Sequence, residues 1–193
     1  KAREAARAWH TSIQQLRVAT SRRHCHWEWH IEEIRGLGLI QFLLQETQEC
    51  RTLSRALMLQ ARLAIAEGRY DDAIDLLRIN YRMARDVARE PLLVCDLVGM
   101  AIAGMGHRSV VELMAQPDSP NLYWALTELP SPLIDTRESI RGEMSLALRM
   151  FPFLLDAETA RHSPEEWAVL LTDAMLEMQS MVTFPTVVIP EEK

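Results

Sequence analysis

The densest chemistry in the sequence is the run His24-Cys-His-Trp-Glu-Trp-His30. His24, Cys25, His26 and His30 carry the nitrogen and sulfur donors that suit zinc, and Glu28 adds a carboxylate. A structural zinc site draws on two separated ligand pairs, and here the second pair is missing. His10, His107 and His162 each stand alone. The spacing therefore favours a loop anchored by its tryptophans. A metal or small-ligand site centred on residues 24–30 is the alternative. Cys25 beside a histidine also sketches a nucleophile pair, but nothing completes a catalytic set. There is no Gly-x-Ser-x-Gly elbow, no phosphate-cradling glycine loop and no His-Glu-x-x-His. Glu138, Arg141 and Glu143 read as exposed neighbours on one helix. The expectation is a protein that is not an enzyme and uses no cofactor.

The elements that would position these residues are helical. Ala2, Ala5, Ala6, Trp9, Ile13 and Leu16 keep a 3.6-residue period, so residues 2–19 read as a helix. Residues 20–37 break it. From Leu39 to Glu67 neither Pro nor Gly interrupts the pattern; that length invites a break near Thr47. A further helix is expected over about Tyr70–Arg89, with Ile74, Leu77, Tyr81, Ala84 and Ala88 on one face. Leu92–Met105 is the most apolar run, but at ~14 residues it is shorter than the ~20 of a membrane span. It reads as a buried central helix within residues 91–115. Gly99, Ala103, Gly104 and Gly106 would admit a close neighbour, with a kink at Gly104–Gly106. A short helix over 120–129 and another over Asp135–Met150 follow, the latter turning Ile140, Met144, Ala147, Leu148 and Phe151 inward. Ser163-Pro-Glu-Glu166 is a capping box and starts the last helix, to about Val182. Its stripe holds Trp167, Leu170, Leu171, Ala174, Met175, Met178 and Met181, expected as core, with an adaptable partner groove at the three methionines as the alternative. Phe184–Pro190 reads as extended.

About seven helices with short connections make an all-α fold. A single domain is expected over residues 1–193, with an N-terminal helix and His/Trp-rich loop (1–37), long central helices (39–115) and C-terminal helices with an extended tail (119–193).

The clearest local signal is Ala61-Arg-Leu-Ala-Ile-Ala-Glu-Gly-Arg-Tyr-Asp-Asp-Ala-Ile-Asp-Leu-Leu77, the tip of a helical hairpin. Residues 57–81 resemble a tetratricopeptide-type (TPR) repeat. Ala61 and Ala64 are its small positions, Gly68 and Tyr70 its turn, Ala73 the small residue opposite, and Leu77 the apolar position beyond. Small residues let paired helices approach, and glycine ends a helix at positive φ. The chain departs from the repeat at Asn80, where a second small residue is usual. It also lacks the closing Pro and the Trp and Gly-Tyr of the first helix, and no second copy follows. The resemblance is to one hairpin, and it implies stacked antiparallel helix pairs in a TPR-like superhelix. Residues 20–150, through Cys25, Trp27 and the Ala61–Gly68 stretch, are also similar to an uncharacterised bacterial helical-repeat family. That likeness implies export or envelope association and no assigned activity.

Composition bounds the partners. The net charge is −6, and residues 36–193 carry the acidic excess. Affinity for nucleic acid rests on phosphate neutralisation, so nucleic acid is not an expected partner. Three cysteines are too few for a disulfide framework, and Cys50 and Cys95 are expected as buried thiols. The chain starts at Lys1 without Met and reads as a trimmed piece, so a signal or anchor upstream would not be visible. The expectation is a non-catalytic scaffold holding a protein or peptide on the concave side of the stack, with homo-oligomerisation a further possibility.

Overall fold

The computed structural model describes residues 2–27, 29, 38–154 and 162–182. Among them every regular element is helical: α1 (Ala2–Ala8), α2 (His10–Thr20), α3 (Gly38–Ala66), α4 (Tyr70–Val87), α5 (Leu93–Met114), α6 (Tyr123–Thr127), α7 (Arg137–Met150), a 3-10 turn (Pro152–Leu154) and α8 (Pro164–Val182). The all-α expectation holds. The chain divides into two compact units, residues 1–29 with 43–143 and residues 30–42 with 144–193.

The first unit is built on α3, α4 and α5. α3 runs without a break through Thr47, which is buried. It ends in a Schellman motif: Gly68 takes φ +70°, its N–H donates to the Ile65 carbonyl at 3.0 Å, and Arg69 N–H donates to Ala64 at 2.8 Å. Past the turn, α4 lies antiparallel to α3. Ala61, Ala64 and Ala73 are wholly buried where the two helices meet, and Leu57 and Leu77 fill in around them.

One polar tie runs through this core. Ser54 Oγ donates to Asn80 Oδ1 at 2.7 Å, and Asn80 Nδ2 donates to the Ile102 carbonyl at 2.9 Å, so α3, α4 and α5 share one hydrogen-bonded line. All three partners sit in the interior, where an unmade hydrogen bond costs more than a made one gains. Asn80, the departure from the repeat pattern, is accommodated by Gly106, where a Cβ would stand 2.7 Å from Asn80 Nδ2. Gly99 lets α5 reach the Ala84 carbonyl of α4 in the same way, its Cβ position 2.6 Å from that oxygen. Gly104 faces open space, and α5 continues unbroken through it.

α1 and α2 cover the far side. The expected single helix is interrupted at Trp9. Gln60 donates to the Ala6 carbonyl at 2.8 Å, Arg3 pairs with Glu67, and Arg17 with Asp75. Ile13 and Ala6 are the buried anchors.

At the other end, Glu143 of α7 accepts a hydrogen bond from Leu93 N–H at 2.8 Å. It supplies the cap that Leu92 cannot. Gly142 presses against the Pro91 carbonyl with no room for a side chain. These two contacts set the rotation of α7. Ser139 faces Asp96 of α5, Leu146 is buried, and Ile140, expected inward, is 59% exposed. Leu148 is also exposed; Met144 and Ala147 are not among the described side chains.

In the second unit the expected capping box forms in full. Glu166 accepts from Ser163 N–H at 2.8 Å, and Ser163 Oγ accepts from Glu166 N–H at 3.2 Å. Trp167 packs edge-on against Phe153 and His162. The stripe expected as core lies open at Leu171 and Met175, the latter 65% exposed. Met178 and Met181 are not among the described side chains, and residues 184–190 lie outside the described chain.

Candidate functional site

The His/Trp loop lies along the C-terminal half of α4. Arg82 Nη2 donates to the carbonyls of Arg22 and Arg23, both at 3.1 Å, while its Nε holds Asp86 at 2.9 Å. Trp27 Nε1 donates to the Asp86 carbonyl at 2.7 Å, and Arg89 reaches the Cys25 carbonyl at 3.4 Å. Trp29 stacks obliquely on Trp27, their ring centres 5.1 Å apart. His24 and His26 point to solvent. Among the described residues no three potential ligands converge; His30 and Glu28 lie outside them. Burial raises the Cys25 thiol, Asp86 raises it further, and Arg89 and Arg82 oppose. A nucleophilic cysteine needs the opposite shift. Burial also pushes Cys50 up to about 11 and Cys95 up to about 12.

The hairpin residues Ala61, Ala64, Gly68, Tyr70, Ala73 and Leu77 position α4 rather than form a site themselves. What α4 then presents is a cleft of about 360 Å³ in the first unit. Its floor is apolar: Ile74, Leu77 and Tyr81 from α4, Val110 from α5, and Leu122, Leu126 and Leu129 from the segment around α6. Leu122, Leu126 and Leu129 recur at intervals of four and three; Leu126 lies within α6 and the other two flank it, and all three line the cleft.

One edge of the cleft is cationic. Arg78, Arg82 and Arg85 recur at intervals of four and three and form one ridge of α4, with Arg89 two residues past its end. Three of them line the cleft. Arg82 is held by Asp86 and the loop, and Arg78 by Asp75 at 2.7 Å. Arg85 makes no hydrogen bond or ion pair among the described residues. Glu128 closes the opposite rim.

Between α3 and α5 lie open hollows of about 620 and 250 Å³, and the Arg62–Glu112 ion pair at 2.7 Å bridges them. The better-enclosed cleft uses α4, α5 and α6. The basic ridge was visible in the sequence as spacing. Which of its arginines stays free depends on contacts made by residues 22–25.

No protein family, curated protein or solved structure matches this chain. The class that fold and site define is therefore an all-helical protein with an apolar, arginine-edged cleft.

Proposed function

We propose that the chain is a non-catalytic interaction module of TPR-like character, and that the α4–α5–α6 cleft holds a short segment of a protein or peptide partner. The observation that carries this reading is the cleft itself, with its leucine floor and the unpaired Arg85 at its edge. Concave, mostly apolar sites with few convergent polar groups are the usual form of ligand pockets. An apolar side chain of the partner fills the floor, and an acidic group meets Arg85 through charge-assisted hydrogen bonds. The raised thiols and the solvent-facing His24 and His26 fit a binding role better than a chemical one.

A randomised peptide library panned against the full chain tests this. Leucine- or phenylalanine-bearing peptides with a neighbouring Asp or Glu are the expected winners. Arg85→Ala should weaken them by about 1.5–3 kcal/mol, and Leu126→Glu should abolish them. Peptides that bind both variants unchanged would place recognition elsewhere.

A further inference from the structure

α5 is apolar on both sides, and among the described residues of its unit only one side is covered. Its buried arc holds Cys95, Ile102, Gly106, Val110 and Leu113. Its outer arc holds Leu93, Leu97, Met100, Gly104 and Val111, every one exposed. These five recur at intervals of four, three, four and seven, so they fall within an arc of about 60° along the whole helix. Leu97 and Val111 are 56% and 53% exposed. A helix that is apolar all round is normally covered all round.

The outer arc is self-complementary. Gly104 stands at the middle of α5, with nothing within 4 Å of the place where its Cβ would be. In an antiparallel pair with a two-fold axis at Gly104, each residue faces the one equally far on the other side. Leu97 then meets Val111 of the second copy, and Val111 meets Leu97. Met100 meets Arg108, whose aliphatic stem covers it while the guanidinium reaches water. On the outer arc no charge meets its like; Asp96 and Glu112, eight residues either side of Gly104, are both acidic, but Asp96 is buried on the inner side, and the helix dipoles run in opposite directions. The two glycines let the backbones approach closely, and a crossing near 20° keeps Leu97 and Val111, both ~10 Å from the axis, in contact. Off the C-terminal end, a hollow of about 410 Å³ lined by Met114, Leu122 and Tyr123 stands where Leu93 of the second copy would arrive.

We infer that the outer arc of α5 is the contact between two copies of this chain, paired antiparallel about Gly104. A helix of 22 residues is about 33 Å long and about 10 Å wide. Its footprint is roughly 330 Å² per copy, against ~800 Å² in a standard stable interface. Even with the end hollows filled, the pair is a weak, exchanging dimer. α5 is also long and apolar enough to cross a membrane, yet half of that stretch is buried inside the fold. Arg108 and His107 border the remainder, which suits a protein contact better than lipid.

Sedimentation equilibrium of the full chain from micromolar to millimolar concentration tests the pairing. The wild type should pass from monomer to dimer over that range. Leu97→Glu and Val111→Lys, both at exposed positions, should keep the wild-type circular dichroism and each weaken dimerisation at least about tenfold. An equimolar mixture of the two variants should dimerise again, because Glu at 97 then faces Lys at 111. A monomer at every concentration, dimers indifferent to both variants, or a mixture that fails to re-associate would each overturn the proposal. So would a monomeric chain that floats with phosphatidylglycerol vesicles and loses them with Leu97→Glu.

Discussion

Replacing Gly68 isolates a single physical cost. Its φ of +70° lies in the left-handed region, and nothing stands within 4 Å of a Cβ added there. A substitution therefore meets no neighbour and pays only for backbone conformation. An L-residue in that region costs about 1–2 kcal/mol. Losing glycine's freedom in the unfolded chain returns about 0.4–1 kcal/mol. Gly68→Ala should then destabilise by about 1 kcal/mol, which is roughly 2–4 °C in melting temperature for a chain of this size. Gly68→Val should cost more, because a β-branched side chain tolerates positive φ least. Gly68→Asn should cost only a few tenths of a kcal/mol, since Asn adopts this region readily. Urea unfolding followed by circular dichroism reads all three as shifts in midpoint at constant slope. If Ala and Val leave the midpoint where it is, or Asn is as damaging as Val, the Schellman turn at Ala64–Arg69 is wrongly assigned. The antiparallel setting of α3 and α4 would then lose its local cause.

Two glycines of α5 should respond in opposite directions. Gly104→Ala enters open space and should stabilise the monomer by up to about 1 kcal/mol through helix propensity. Gly106→Ala pushes Asn80 off the Ile102 carbonyl and should cost about 1–3 kcal/mol for the polar groups left unpaired. Thermal melts of both variants at low micromolar concentration decide it. Asp96 provides a test in pH. It is fully buried beside Ser139; burial raises its pKa above the ordinary 3.8, the Ser139 hydroxyl opposes the rise and the Asp135 charge adds to it. The unfolded chain gives up this proton first, so the folded state loses stability as pH climbs from 3.8 through the raised value. Asp96→Asn should therefore melt higher than wild type at pH 7, with the gap closing below pH 3.8. A gap that persists in acid would mean that the carboxylate is not the source.

What could be read from the sequence, and what could not, follows the range of the interactions involved. The Gly68 turn and the Ser163–Glu166 capping box are closed by hydrogen bonds within six residues, so their residue types alone reveal them. The rotation of α7 was misread because it is decided fifty residues away, by Glu143 capping Leu93 and Gly142 lying on Pro91. Apolar periodicity marked Ile140 as inward and had no means of weighing those two contacts. For α5 the apolar run predicts a buried central helix; the helix is buried along one side and exposed at Leu97, Met100 and Val111, because apolar composition does not say what covers each face.

Asn80 joins the two halves of this argument. Against the repeat pattern it is a defect, a polar group where a small residue belongs. In the fold it makes both of its hydrogen bonds to neighbouring helices, and Gly106 opens the space it needs. A polar tie of this kind is satisfied in only one register of α3, α4 and α5, whereas alanine packing would tolerate a slip. The register it selects turns Tyr81 and Arg85, one and five residues on, toward the α6 segment. Asn80 thus ties α3, α4 and α5 together one residue before Tyr81 and five before Arg85, both of which line the cleft.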